Sequence, residues 1–148
     1  MIPNLKSMKK IQLTPKLLGL GLVALAAYSF LNRPKKMTFS GSSMVPEAKG
    51  SIRINRDKNK NHTIEIEVTH LVPADQLTPP KETYVVWMTT QENETKNIGQ
   101  LRIFTGFFSK AFMGSLFTVS SSKPSSIFIT AEDEGNTESP GEVILTTR

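Results

Sequence analysis

From residue 50 onward the chain alternates apolar and polar positions with period two. Ile52 and Ile54 alternate with Ser51, Arg53 and Asn55, the pattern of a half-buried strand. Asp57-Lys-Asn-Lys-Asn61 is dense in turn formers and closes a hairpin onto His62–His70, where Ile64, Ile66 and Val68 face inward and Glu65 and Glu67 face outward. A connection at 71–82 holds Pro73, Pro79 and Pro80 and cannot pair as an inner strand. Tyr84-Val-Val-Trp-Met-Thr-Thr90 is apolar on both faces, which predicts a central strand covered on both sides. Further strands are expected at 97–104, 115–120, 127–131 and 143–147, the last two separated by an acidic, solvated loop. The segment 105–114 carries Phe107, Phe108, Phe112 and Met113 between Gly106 and Gly114, and reads as one helical turn or a loop folded over an open edge. Seven strands at this spacing, with no helical periodicity, predict an all-β domain. The expected form is an immunoglobulin-like two-sheet sandwich, with an up-and-down barrel as the alternative.

The N-terminal part reads differently. Leu17 to Leu31 is an uncharged run of fifteen residues, with Lys9, Lys10 and Lys16 before it and Arg33, Lys35 and Lys36 after it. An apolar helix with basic flanks is the pattern of a secretory signal, and Ala24-Leu-Ala26 offers small residues for cleavage. The run is shorter than the roughly 20 residues that span a bilayer. Flanking lysines that snorkel would nevertheless let it serve as an anchor through Leu17, Leu22, Leu25 and Leu31. The expected organisation is therefore a signal peptide or membrane anchor at 1–36, a flexible tether at 37–49, and the β-domain at 50–148.

Charge sharpens this division. The net charge of +5 is the sum of +7 from residues 1–36 and −2 from 37–148, where 11 basic residues meet 13 acidic ones. The basic balance thus belongs to the N-terminal segment, and no basic face is apparent on the domain, which argues against a nucleic-acid partner. The chain has no cysteine, so disulfides, thiol catalysis and cysteine–zinc sites are excluded.

Candidate chemistry is sparse. His62 and His70 lie on one strand face, roughly 26 Å apart at ~3.3 Å per residue, too far to share a metal through that strand. Glu132-Asp-Glu134 and Glu138 lack the spacing of a calcium loop. No serine lies in a G-x-S-x-G turn. No catalytic residue, metal ligand or cofactor is assigned. Tyr84 and Trp87 are expected in the core, with a sugar-stacking platform as the alternative. Phe107, Phe108, Phe112 and Met113 are the candidate partner-binding residues.

Five motifs follow one another in a recognisable order: Tyr84-Val-Val-Trp87, Ile98-Gly-Gln-Leu101, Phe128-Ile-Thr-Ala-Glu132, Pro140-Gly141 and Val143-Ile-Leu145. Residues 84–147 so resemble the extracytoplasmic C-terminal domain of bacterial anti-sigma-K factors. The resemblance implies a core strand around Trp87, a bulge or close approach at Gly99, and an outer sensing or protein-interacting module. The sigma-binding domain of that family, with its His and Cys motif, has no counterpart here. The expectation is a non-enzymatic accessory or sensing domain of the bacterial cell envelope, periplasmic or membrane-tethered. It would contact the membrane through its N-terminal segment and a protein through strand edges and the Phe107–Phe112 segment. A carbohydrate- or surface-binding module is the alternative.

Overall fold

The structure, a computed structural model, describes Val23 and residues 33–148. The chain divides into two compact units, Met1–Arg33 and Pro34–Arg148; the second is described here. The apolar run with Leu17, Leu22, Leu25 and Leu31 lies outside the described residues. Among those residues no helix is long and apolar enough to cross a membrane.

Nine strands form one antiparallel sheet: β1 (Lys35–Gly41), β2 (Lys49–Arg56), β3 (His62–Thr69), β4 (Thr83–Thr90), β5 (Thr95–Gln100), β6 (Arg102–Thr105), β7 (Phe112–Ser120), β8 (Pro124–Glu132) and β9 (Val143–Thr147). Their order is β5-β4-β8-β9-β1-β2-β3-β7-β6. The two ends of that order, β5 and β6, are separated along the chain only by Leu101, so the sheet is nearly closed on itself.

Nine strands replace the seven expected, for identifiable reasons. The stretch read as basic flank and flexible tether contains β1. Lys35–Thr38 pair with Ile54–Ser51 of β2, whereas Phe39–Gly41 pair with Thr147–Leu145 of β9. A strand that changes partner midway needs only a short apolar face, here Phe39, and leaves little alternation to read. Beyond it, Val45 and Ala48 are buried, so this part of the chain is packed onto the domain. The single strand expected at 97–104 is two, because the chain leaves β4 after the bond from Leu101 N–H to the Tyr84 carbonyl (2.9 Å) and pairs with β7 instead. The segment 105–114 is neither a helical turn nor an edge cover. It is the end of β6, the hairpin connection at 106–111 and the start of β7, closed by the Gly106 N–H on the Ala111 carbonyl at 3.1 Å.

The core lies on the inner faces. Ile52 and Ile54 of β2 stand beside Ile64 and Ile66 of β3, and these pack in one cluster with Val86 and Met88 of β4 and Ile127 and Ile129 of β8. Each fully buried aliphatic side chain contributes about 1.5–3 kcal/mol of transfer free energy. Gly99 fulfils the expected bulge: the β4–β5 register shifts between Val86 and Trp87, and Gly99 has φ +133°, where a side chain would meet Leu116 of β7 at 3.1 Å. A side chain at Gly50 would meet the Phe39 ring at 2.5 Å and the Glu67 carbonyl at 3.1 Å. Gly50→Ala is therefore expected to destabilise the domain by about 1–3 kcal/mol, read as a lowered urea midpoint.

Tyr84 reports on this packing. Its ring is buried, and its hydroxyl donates to the Val72 carbonyl. Burial first, and the Asp75 carboxylate second, push the hydroxyl from 10.0 up to about 12. A raised folded value means that the stability is intact below the unfolded value and is lost as pH rises toward the folded one. Between pH 10 and about 12 the unfolded chain ionises first, and up to about 2 kcal/mol of stability disappears. Urea midpoints across that window should fall for the native chain and fall less for Tyr84→Phe.

Candidate functional site

The β6–β7 hairpin is built from residues that cannot all point inward. Cross-strand pairing places Ile103 opposite Gly114 and Thr105 opposite Phe112 on the core side. Phe104 and Met113 share the outer side, and Phe117 and Val119 follow on that side along β7. The outer rings and branched chains find no cover: Phe117 is 64% exposed and Val119 52%. Every residue of β6 is exposed.

The connection carries the sharpest feature. Phe107 is 94% exposed and Phe108 97%, their rings meeting edge to face at 4.9 Å. Phe112 sits at the base of this tip, partly exposed, and Met113 is half-buried. The structure thus brings the four candidate residues together on one hairpin. Sequence reading missed Phe104, Phe117 and Val119. In Leu116-Phe-Thr-Val119 both faces hold an apolar residue, so only the pairing with β3 decides which one is inside. From Leu101 to Ser120 there is no Asp or Glu, and Arg102 and Lys110 are the only charges.

The large rings of the Trp87 strand are buried. Trp87 is 1% exposed and stacks on Phe128 at 6.3 Å on the outer face of β4 and β8. Its cover is a loop, not a second sheet. The indole N–H donates to Thr130 Oγ1 at 2.8 Å, the Thr130 hydroxyl donates to Glu132 Oε1, and the Gly141 N–H donates to the same oxygen at 2.7 Å. Asn97 Nδ2 adds bonds to the carbonyls of Gly135 and Thr137 at 3.0 and 3.1 Å. The acidic loop expected at 132–141 is exposed at Asp133, Glu134 and Glu138, yet it is tied across β5, β4 and β8 through Asn97, Thr130 and Glu132. β4 itself is second from one end of the sheet order, not central; the loop is what covers its outer face. With Tyr84 also buried, neither ring is available to stack on a sugar.

The other sequence candidates stay apart. His62 opens β3 with its Nδ1 buried and unbonded, while His70 lies just past the end of the strand, exposed, with φ +55°. Among the described residues no group of three or more His, Asp or Glu is placed to hold a metal ion. A groove of about 210 Å³ on the outer face of β1–β3 is lined by Lys36, Arg53, Glu65 and Glu67, and Arg53 and Glu65 neutralise each other there at 3.0 Å. A second recess, about 380 Å³, lies where β6 leaves β4, between Ile103 and the Pro73–Asp75 turn. Comparison with known proteins finds no matching family model, no matching curated protein and no matching solved structure.

Proposed function

We propose that this chain is a non-enzymatic, exported domain of the bacterial cell envelope that binds a protein partner through the β6–β7 hairpin. The observation that carries the reading is the pair Phe107 and Phe108, almost wholly in solvent at the tip of a hairpin whose outer face adds Phe104, Phe117 and Val119. Exposed aromatic and aliphatic side chains grouped on one hairpin in this way mark interaction sites on soluble domains. Aromatic rings that enter a partner's pocket carry a disproportionate share of binding energy. The basic-flanked apolar run at 17–31 supports export, as a cleaved signal or as an anchor.

The resemblance of residues 84–147 to the outer domain of anti-sigma-K factors fits the same role, an accessory or sensing module. A sandwich-like form fits the strand order as well. In that reading β6-β7-β3-β2-β1 and β1-β9-β8-β4-β5 are two facing layers, with β1 and the β5–β6 junction as shared corners.

The test is site-specific photo-crosslinking in the native envelope. A crosslinker at Phe108 should yield one defined protein adduct, and one at Glu92, in the exposed turn between β4 and β5, should not. Equal adducts at both positions, or none at Phe108, would refute the proposal.

A further inference from the structure

The strand register sorts charge in a way that a net count conceals. The β2–β3 turn, at Asp57–Asn61, lies beside the β7–β8 loop at 121–123, because His62 pairs with both Arg56 and Ser120. β1 starts toward this same end, with Lys35 opposite Ile54, and β9 ends toward it, with Thr146 opposite Phe128 of β8. One end of the domain therefore gathers Lys35, Arg56, Lys58, Lys60, Lys123 and Arg148, all exposed. Three acids share this end. Asp57 accepts the N–H groups of Asn59 and Asn61, each at 2.8 Å, and Glu94 is paired with Lys96 at 2.8 Å. Glu92 remains.

The other end is the reverse. Beside the 106–111 tip lie the 70–82 connection and the 133–142 loop, with Asp75, Glu82, Asp133, Glu134, Glu138 and Glu142 against Lys49 and Lys110. Lys81 at that end is paired with Asp133 at 2.9 Å. A domain with a net charge near zero is thus a strong charge dipole along its strands. This also revises the sequence-based expectation that the domain has no basic face.

We propose that the basic end is a docking surface for an anionic phospholipid bilayer, and that it holds the domain upright with the aromatic hairpin pointing away from that membrane. Three observations select this occupant. Six uncommitted cations complement a layer of phosphate headgroups, whose attraction to each basic side chain is additive and screened by salt. The chain enters the domain at this end, with only Asn32-Arg-Pro34 between the apolar run and β1. No exposed aromatic stands here among the described residues, whereas a surface for single-stranded nucleic acid would use such rings to stack bases; the exposed rings are all on the β6–β7 hairpin. The surface is separate from the hairpin, so the lipid contact stands or falls independently of the protein partner.

Because the chain has no cysteine, single labels are unambiguous. The full chain, with a nitroxide at Asn59→Cys or at Ser109→Cys, is reconstituted in phosphatidylcholine vesicles with and without phosphatidylglycerol. The expected result is that the label at 59 enters the headgroup layer only when phosphatidylglycerol is present, and that the label at 109 stays in water in both. Changing Lys58, Lys60 and Lys123 to Gln should lower the docked-to-free ratio by roughly a hundredfold, with the Trp87 emission unchanged. Phe107→Ser with Phe108→Ser should leave the docking intact. The proposal is overturned if the label at 59 is equally water-exposed in both vesicles, if the label at 109 is the one that enters the headgroups, or if added DNA displaces label 59 from the vesicle surface at physiological salt.

Discussion

Trp87→Ala should lower the unfolding free energy by about 4 kcal/mol, near the upper end of what a single core truncation costs. The indole is the largest fully buried side chain of the described domain and fills the space between β4, Phe128 and the 133–142 loop. Its removal leaves a cavity that the rigid pleat of β4 and β8 cannot close. It also removes the first donor in the series that runs through Thr130 and Glu132 to the Gly141 N–H. Glu132 is buried and accepts from both its neighbours, so loosening one contact frees the loop that shields the others. Trp87→Phe keeps most of the buried area and loses the N–H bond, and should cost about half as much. Urea unfolding followed by circular dichroism checks both. A loss below about 1 kcal/mol for the Ala variant would mean that the loop does not pack as described.

The second large effect is on binding and should leave the fold untouched. Phe107→Ser with Phe108→Ser removes two rings that touch little besides each other, so the unfolding free energy should change by less than about 0.5 kcal/mol. Partner affinity should fall by two to three orders of magnitude, since buried aromatic anchors at interfaces are worth about 2 kcal/mol or more each. Phe117→Ser, on the outer face of β7, should have the smaller effect of a rim contact. If the double substitution unfolds the domain, the hairpin tip is structural. If binding persists at native strength, the partner surface lies elsewhere.

What the sequence revealed, and what it hid, follows from how each strand is buried. β3 was legible because Ile64, Ile66 and Val68 alternate cleanly with outward glutamates, and the structure assigns His62–Thr69 to it. β4 was legible as a strand buried on both faces, but periodicity cannot tell a second sheet from a covering loop. Here the cover is held by Glu132, a residue that reads as solvated until its partners are known. β1 was hidden because Lys35 and Lys36 look like a membrane flank and only Phe39 is buried. The hairpin residues Phe107, Phe108, Phe112 and Met113 stood out by composition alone, yet the exposure of the three rings came from pairing: β6 follows β7 at the end of the sheet order, and every residue of β6 is exposed. The basic end was invisible for the same reason, since Lys58, Lys123 and Arg148 are far apart in the chain and meet only through the register.

The proposed working surface of the domain is the aromatic tip of the β6–β7 hairpin. Native electrophoresis of gently solubilised envelopes tests it most directly, comparing the full chain with its Phe107→Ser/Phe108→Ser variant at equal abundance. The native chain should migrate with its partner as a discrete larger complex, and the variant, with unaltered Trp87 emission, as the free protein. Identical migration of the two would contradict the account.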